Sequence, residues 1–178
     1  MARKVKVDLS ELASAYESDF PELEHFLDLE TGAVIMVTED DNRALEDFHD
    51  ESETEEGEGD EAAFGKWLEQ YDCPDWQVDS IRSAFLVERE FGKRFIRVPT
   101  RESHDGYDEM VDFTETIQND RLKELLYVAL NGKGAFRRFK DVLYNYPEER
   151  EHWFKFHDDQ IKQRVLDWLE AEEIEVET

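Results

Sequence analysis

The second half of the chain carries an apolar periodicity that fits helices. From residue 103 onward, apolar side chains recur three or four positions apart, which places them on one face of a helix. The clearest stretch contains Leu122, Leu125, Leu126, Ala129 and Leu130. Asn119 or Asp120 suits the start of that helix as a cap, and Pro147 suits the first turn of the last helix. The pattern predicts a bundle of helices joined by short connections.

One helix of this bundle follows a turn that is punctuated by glycines. Gly132 stands where a left-handed residue would end the preceding helix, and the next helix is expected from about residue 134 to residue 144. The side chains predicted to be buried on it are Ala135, Phe136, Phe139, Val142 and Leu143. The opposite side of this helix is charged.

The first half of the chain contains short extended segments. An imperfect alternation over residues 24–29, a turn at residues 30–32 and a run rich in β-branched residues over 33–38 predict a β-hairpin. Residues 94–99 end at Pro99, which cannot donate a ladder hydrogen bond, and are predicted to form an edge strand. Short helices are expected over residues 9–16 and about 75–90.

Together these elements predict an α+β fold, with a small antiparallel sheet of about three strands packed against a C-terminal helical bundle. A length of 178 residues is close to that of one domain, so residues 1–178 are interpreted as a single domain.

Charge is spread unevenly along the chain, whose formal net charge is -26. Residues 39–61 hold 13 acidic side chains and only three apolar ones, Ala44, Leu45 and Phe48. Like charges at this density repel one another, and so little apolar surface does not offset the entropy of ordering. These residues are therefore predicted to form a mobile acidic insertion. A solubilising role is favoured over a decoy for basic partners or a weak site for divalent ions.

Residues 131–141 stand out because they gather four cations in this acidic chain: Lys133, Arg137, Arg138 and Lys140. Lys133 lies in the turn, beside the free N–H groups at the start of a helix, which is a favourable setting for a phosphate or carboxylate. Arg97 belongs to a second group of cations, within residues 82–101. These five residues are the candidate anion-binding residues. The alternative, internal pairing with neighbouring carboxylates, is favoured, and Arg137 and Asp141 have the spacing for it.

No complete catalytic, metal or cofactor motif occurs in the sequence. A Walker A loop fails because Ala135 and Phe136 follow the second glycine of the turn. Cys73 lies between acidic neighbours, which disfavours a reactive thiolate. The Glu–His spacing of a di-iron half-site occurs three times, at Glu22 and His25, Glu46 and His49, and Glu149 and His152. Acids are frequent enough here to produce this spacing by chance, so we expect no metal and no cofactor.

The basic run also carries a resemblance to a known group. Residues 131–141, together with Tyr146, Pro147, Glu149, Arg150, Trp153 and Phe154, resemble the C-terminal half of the bacterial uncharacterised protein family 0158. Shorter upstream matches are residues 27–32, residues 97–99 and the segment that holds Gly106, Tyr107, Met110, Asp112 and Phe113. The resemblance covers most of the chain outside the acidic residues 39–61. It implies one globular unit and supplies no activity.

The sequence therefore predicts a binding or regulatory module rather than an enzyme, with a protein or a small anionic ligand as its partner. The alternatives are an enzyme that acts on an anionic substrate and a weak nucleic-acid binder, although the net charge opposes the approach of nucleic acid. No apolar run is long enough to cross a membrane. With one cysteine and no signal peptide in the sequence, a cytoplasmic location is expected.

Overall fold

The computed structural model describes residues 3–55 and 59–177. The chain divides into two compact units, one formed by residues 1–100 with 169–178 and the other by residues 101–168. The interpretation of residues 1–178 as a single domain stays a prediction. The first unit contains all the described strands, and the second contains helices only.

The elements of the described residues follow one another in this order: β1 (Arg3–Val5), α1 (Leu9–Tyr16), β2 (Leu23–Asp28), β3 (Val34–Thr38), α2 (Glu39–Ser52), α3 (Glu61–Leu68), α4 (Asp75–Arg89), β4 (Phe95–Arg97), α5 (Ser103–Thr116), α6 (Asp120–Leu130), α7 (Ala135–Tyr144), α8 (Pro147–Ala171) and β5 (Ile174–Val176). The α+β class predicted from the sequence is confirmed.

A three-stranded antiparallel sheet has the strand order β3-β2-β4. The predicted hairpin and edge strand are both present. Asp28, the last residue of β2, links this strand to the residue before β4, because its carboxylate accepts two hydrogen bonds from Arg94, at 3.0 and 2.8 Å. Gly32 in the hairpin turn has φ +77°, and a Cβ there would lie 1.8 Å from the carbonyl oxygen of Lys6. Only glycine fits that position without moving the backbone.

A second pairing joins the two ends of the described chain. Strands β1 and β5 are parallel, and Arg3 lies opposite Ile174. The sequence does not predict this pair, because strands of three residues show too little periodicity and no turn connects them. Val5 and Ile174 are its buried side chains.

Part of the acidic stretch 39–61 has a different structure from the one predicted. Residues Glu39–Ser52 form the helix α2, although a mobile insertion was expected. Ala44, Leu45 and Phe48 lie on one face of α2 and are buried in the core of the first unit. Thr38 and Asp41 form a capping box at the start of the helix. Three apolar side chains are enough to order the helix because they share one face. Residues 56–58 of the acidic stretch lie outside the described residues.

The second unit consists of α5, α6, α7 and the greater part of α8. Its core contains Phe113, Leu126, Phe139, Leu143 and Trp153, and edge-to-face contacts link the aromatic rings. The burial of Ala135, Phe139 and Leu143 is confirmed, and Val142 is partly buried. The predicted burial of Phe136 is wrong, since this side chain is 43% exposed. It lies at the edge of the apolar face of α7.

Candidate functional site

The basic run occupies the connection between α6 and α7. Gly132 and Gly134 have φ values of +77° and +78°, a conformation that glycine adopts without strain. Asn119, rather than Asp120, caps the start of α6, whereas no side chain caps the start of α7. Two left-handed glycines thus reverse the chain within a few residues and bring Lys133 beside the first turn of α7.

Arg138 is occupied by the fold. Its Nε donates to the carbonyl oxygen of Ala129 at 3.1 Å, and an Nη donates to the carbonyl oxygen of Asn131. Both acceptors are at the C-terminal end of α6, where carbonyl groups lack partners within the helix and a positive charge is favourable. Arg138 therefore closes α6, and its inclusion among the anion-binding residues is not supported by its contacts.

The other three cations of the run project into solvent. The Arg137 side chain is 88% exposed and has only a long contact with Asp141, at 3.9 Å. Lys133 and Lys140 are also exposed, and neither has an ion pair within residues 3–55 or 59–177. Among the described contacts of these four cations, the predicted pairing with carboxylates is limited to the long contact of Arg137 with Asp141, and Arg138 is held by carbonyl groups instead.

Two aromatic side chains lie on the same face of α7 as Arg137 and Lys140. At about 100° per residue, Phe136, Arg137, Lys140 and Tyr144 fall within an arc of about 100°. Tyr144 is 72% exposed, and the guanidinium of Arg150 lies 5.9 Å from the centre of its ring. We call the face formed by Lys133, Phe136, Arg137, Lys140 and Tyr144 the turn surface.

Arg97 belongs to the first unit, whereas the four cations of the basic run belong to the second. Its guanidinium forms an ion pair with Glu24 and lies 5.8 Å from the centre of the Phe26 ring. Glu24 therefore already supplies an anionic partner for the Arg97 guanidinium. Its contacts therefore do not support a place for Arg97 in the anion site.

A buried polar cluster in the second unit was missed at the sequence level. Glu109 on α5 is 1% exposed. Its Oε2 accepts a hydrogen bond from Arg101 at 2.9 Å and lies 2.8 Å from Nδ1 of His157 on α8. Arg164 lies 3.6 Å from Oε1 and pairs with Asp105 at 2.8 Å. We call Arg101, Asp105, Glu109, His157 and Arg164 the Glu109 cluster.

The Glu109 cluster fixes α5 against α8. Its cations face carboxylates, and the His157 ring stacks on Trp153 with a centroid distance of 5.6 Å. Gly106 makes room for it, because a Cβ there would lie 2.6 Å from an Nη atom of Arg101. One signal in the sequence pointed here: Glu109 and His157 both stand within otherwise apolar helix faces. Their partners lie too far along the chain to be inferred from spacing.

The three Glu–His spacings have different outcomes. Glu149 and His152 meet at 3.2 Å on the surface of α8. His49 does not contact Glu46, since its ring nitrogens lie 2.9 Å from Thr54 and 2.6 Å from Glu88. In the third pair, Nδ1 of His25 is buried without a hydrogen-bond partner among the described residues, and burial lowers the pKa of this side chain. In the part of the chain that the structure describes, no group of three or more His, Cys, Asp or Glu side chains is arranged to hold a metal ion.

None of the described helices is both long enough and apolar enough to cross a membrane. The longest, α8, alternates charged and apolar residues along its 25 positions. This agrees with the absence of a long apolar run in the sequence.

The fold and the site define a small α+β protein that presents a cationic and aromatic surface on an otherwise acidic chain. The chain belongs to the Uncharacterised protein family (UPF0158), whose model matches residues 67–177, and the resemblance seen in the sequence is confirmed. It is also similar to the UPF0158 protein PA5073 of Pseudomonas aeruginosa, at 24% identity over 97% of this chain and 87% of that protein. No solved structure matches it.

Proposed function

We propose that this protein is a cytoplasmic binding module whose contact surface is the turn surface, and that its partner is a protein with an acidic patch. The observation that carries the proposal is the composition of one exposed face of α7. Arg137 and Lys140, which the fold leaves in solvent, lie there beside two exposed aromatic rings, and the exposed Lys133 lies in the turn that precedes the helix. Arginine and aromatic side chains are enriched at protein contact surfaces because they bury large areas and also form polar contacts.

The energetics of the fold support a role outside it. A contact of 3.9 Å between two largely exposed side chains, such as that of Arg137 with Asp141, contributes between zero and about 1 kcal/mol to stability. Leaving Tyr144 and part of Phe136 in water forgoes the free energy that their full burial would provide. A partner that covers this face would recover it.

Charge decides the chemistry of the partner. The chain has a net charge of -26, so a highly charged polyanion is repelled at long range. A folded protein with a local acidic patch and an apolar centre meets less repulsion and matches both components of the turn surface. Such electrostatic contacts weaken as the salt concentration rises.

The test is recovery of partner proteins with the full-length chain, quantified by mass spectrometry. Arg137→Glu reverses one charge on the turn surface, and Lys162→Glu makes the same change at an exposed position of α8. The proposal requires that partners recovered with the unchanged protein be lost with Arg137→Glu, retained with Lys162→Glu and weakened by salt.

A second measurement separates the classes of partner. A peptide that combines glutamates with apolar residues and a short single-stranded RNA, each with the same number of charges, are titrated against the protein. Binding of the peptide alone supports an acidic protein partner. Tighter binding of the RNA, lost with Arg137→Glu, would assign the turn surface to nucleic acid instead.

A further inference from the structure

The first unit has a groove lined by apolar and acidic side chains, in contrast to the cationic turn surface of the second unit. It has a volume of about 420 Å³ and opens to solvent between the sheet and the helices α2 and α4. The side chains that matter below are the apolar Phe26, Leu45 and Phe91 and the charged Glu24, Glu88 and Arg97. We call it the acidic groove. Its volume is within the range of about 300–1,000 Å³ that is usual for small-molecule sites.

The floor of the acidic groove is apolar, and one wall is an unusually exposed aromatic ring. Phe26 and Leu45 belong to the buried core of the unit. Phe91 is 57% exposed and meets Phe26 edge to face, with ring centroids 6.1 Å apart. An apolar group placed in the groove would cover this ring and be removed from water, which is favourable.

The rim of the acidic groove is negative. Glu24 and Glu88 also line an adjoining cavity of about 370 Å³, where Glu46 and Asp50 of α2 are added. Glu88 is held in position by His49, at 2.6 Å. Four carboxylates thus surround a space that contains one guanidinium. Residues 8–61, which include Glu24, Glu46 and Asp50, hold 21 acids against one base, so the field around this rim attracts cations.

Arg97 indicates which cation fits. Its guanidinium lies beside the Glu24 carboxylate and over the Phe26 ring, so a positive charge already rests between a carboxylate and an aromatic face. The Arg97 side chain is 58% exposed and extends from the edge strand β4. An exposed ion pair of this kind contributes little, and another cation can replace it.

The carboxylates around the acidic groove do not form a metal site. No group of His, Cys, Asp and Glu side chains among the described residues is arranged around a point that would hold a metal ion. A groove with an apolar floor, an aromatic wall and carboxylates at its rim matches a larger cation with an apolar part.

We propose that the acidic groove binds a small protonated organic amine with an apolar body, and that the ammonium group takes the place of the Arg97 guanidinium beside Glu24. The apolar body then lies against Phe26, Leu45 and Phe91. This site is independent of the turn surface, since it lies in the other unit and selects the opposite charge.

The experiment titrates the full-length protein with benzylamine, which is protonated at neutral pH, and with benzyl alcohol, a neutral molecule of similar shape. Amide chemical shifts give both the location and the affinity. The proposal requires that benzylamine shift the amides of Leu45 and Phe91 and bind at least about tenfold more tightly than benzyl alcohol.

Three variants are expected to change the affinity for benzylamine in three different ways. Glu24→Gln removes the carboxylate and weakens benzylamine binding about tenfold. Arg97→Ala removes the competing guanidinium and tightens binding, a gain that damage to the fold would not produce. Glu39→Gln makes the same change as Glu24→Gln on the exposed first turn of α2, and it leaves the affinity unchanged.

Several results would overturn the proposal. They are the absence of benzylamine binding, equal affinity for benzyl alcohol, shifts confined to amides outside the groove, or weaker binding to Arg97→Ala. Magnesium ions that shift the same amides and compete with benzylamine at equal concentration would assign the rim to a metal instead.

Discussion

Two regions of the second unit each contain several cations, but the fold surrounds these cations differently. In the Glu109 cluster, two partly buried arginines and a histidine surround one buried carboxylate, and each arginine lies next to a carboxylate. In the turn surface, Lys133, Arg137 and Lys140 stand in water with at most a long contact to a carboxylate. The difference shows that a run of cations in a sequence does not reveal their role. What matters is whether the fold places acceptors around them.

The largest effect is expected at the centre of the Glu109 cluster. Glu109→Ala leaves the partly buried Arg101 and His157 without the carboxylate that they share, whereas Arg164 keeps Asp105, and the free energy of unfolding should fall by roughly 3 kcal/mol. Glu115→Ala on the same helix is the control, because its partners Lys123 and Tyr127 are near the surface, and a loss below about 1 kcal/mol is expected. Urea unfolding checks both variants. Equal losses of stability would show that the burial of Glu109 does not make its contribution larger than that of Glu115.

The hairpin in the first unit extends this comparison to a buried pair that titrates. Burial raises the pKa of Asp28, but hydrogen bonds from Arg94, the Glu30 N–H and Thr31 outweigh it and lower the pKa to about 2. The stabilisation is present above the unfolded value of 3.8 and is lost as the pH falls towards 2, and it amounts to about 2 kcal/mol.

The measurement is unfolding of the unchanged protein and of Asp28→Asn between pH 5 and pH 2. The difference in stability between the two should shrink as the pH falls through this range. Glu30→Gln alters an exposed partner of the same arginine and should reduce stability less. A difference that is independent of pH would contradict the account of Asp28.

The local elements of the fold could be predicted because their signals are local. The hairpin, α1, α4 and the helices after residue 103 follow from periodicity, caps and turn residues. Pairing of β1 with β5 could not be predicted, because about 170 positions separate partners that carry no complementary pattern. Residues 39–52 were misjudged for a different reason. Counting three apolar side chains ignored that Ala44, Leu45 and Phe48 share one helix face.

The candidate site was only partly visible in the sequence. Exposure of Arg137 and Lys140 follows from the charged face of α7, but the use of Arg138 by the carbonyl groups of α6 depends on how the two helices meet. The Glu109 cluster depends on a contact between residues 48 positions apart. The exposure of Phe136 was missed because periodicity does not locate the edge of a buried face.

Arg138 provides an intermediate case within the basic run. Arg138→Ala removes two hydrogen bonds to the end of α6, and a loss of about 1 kcal/mol is expected. Its neighbour offers a matched control, since Arg137→Ala should change stability by less than about 0.5 kcal/mol. Thermal unfolding distinguishes them. If Arg137→Ala destabilised the protein as much as Arg138→Ala, the two arginines would share one structural role.

The central claim is that the turn surface serves contact rather than stability, and one variant tests it directly. Lys133, Arg137 and Lys140 are all replaced by alanine in the full-length protein. Urea unfolding and quantitative recovery of partner proteins are then measured on the same preparation. The account predicts a free energy of unfolding within about 1 kcal/mol of the unchanged protein, together with loss of the recovered partners. A clear loss of stability with the partners retained would contradict it.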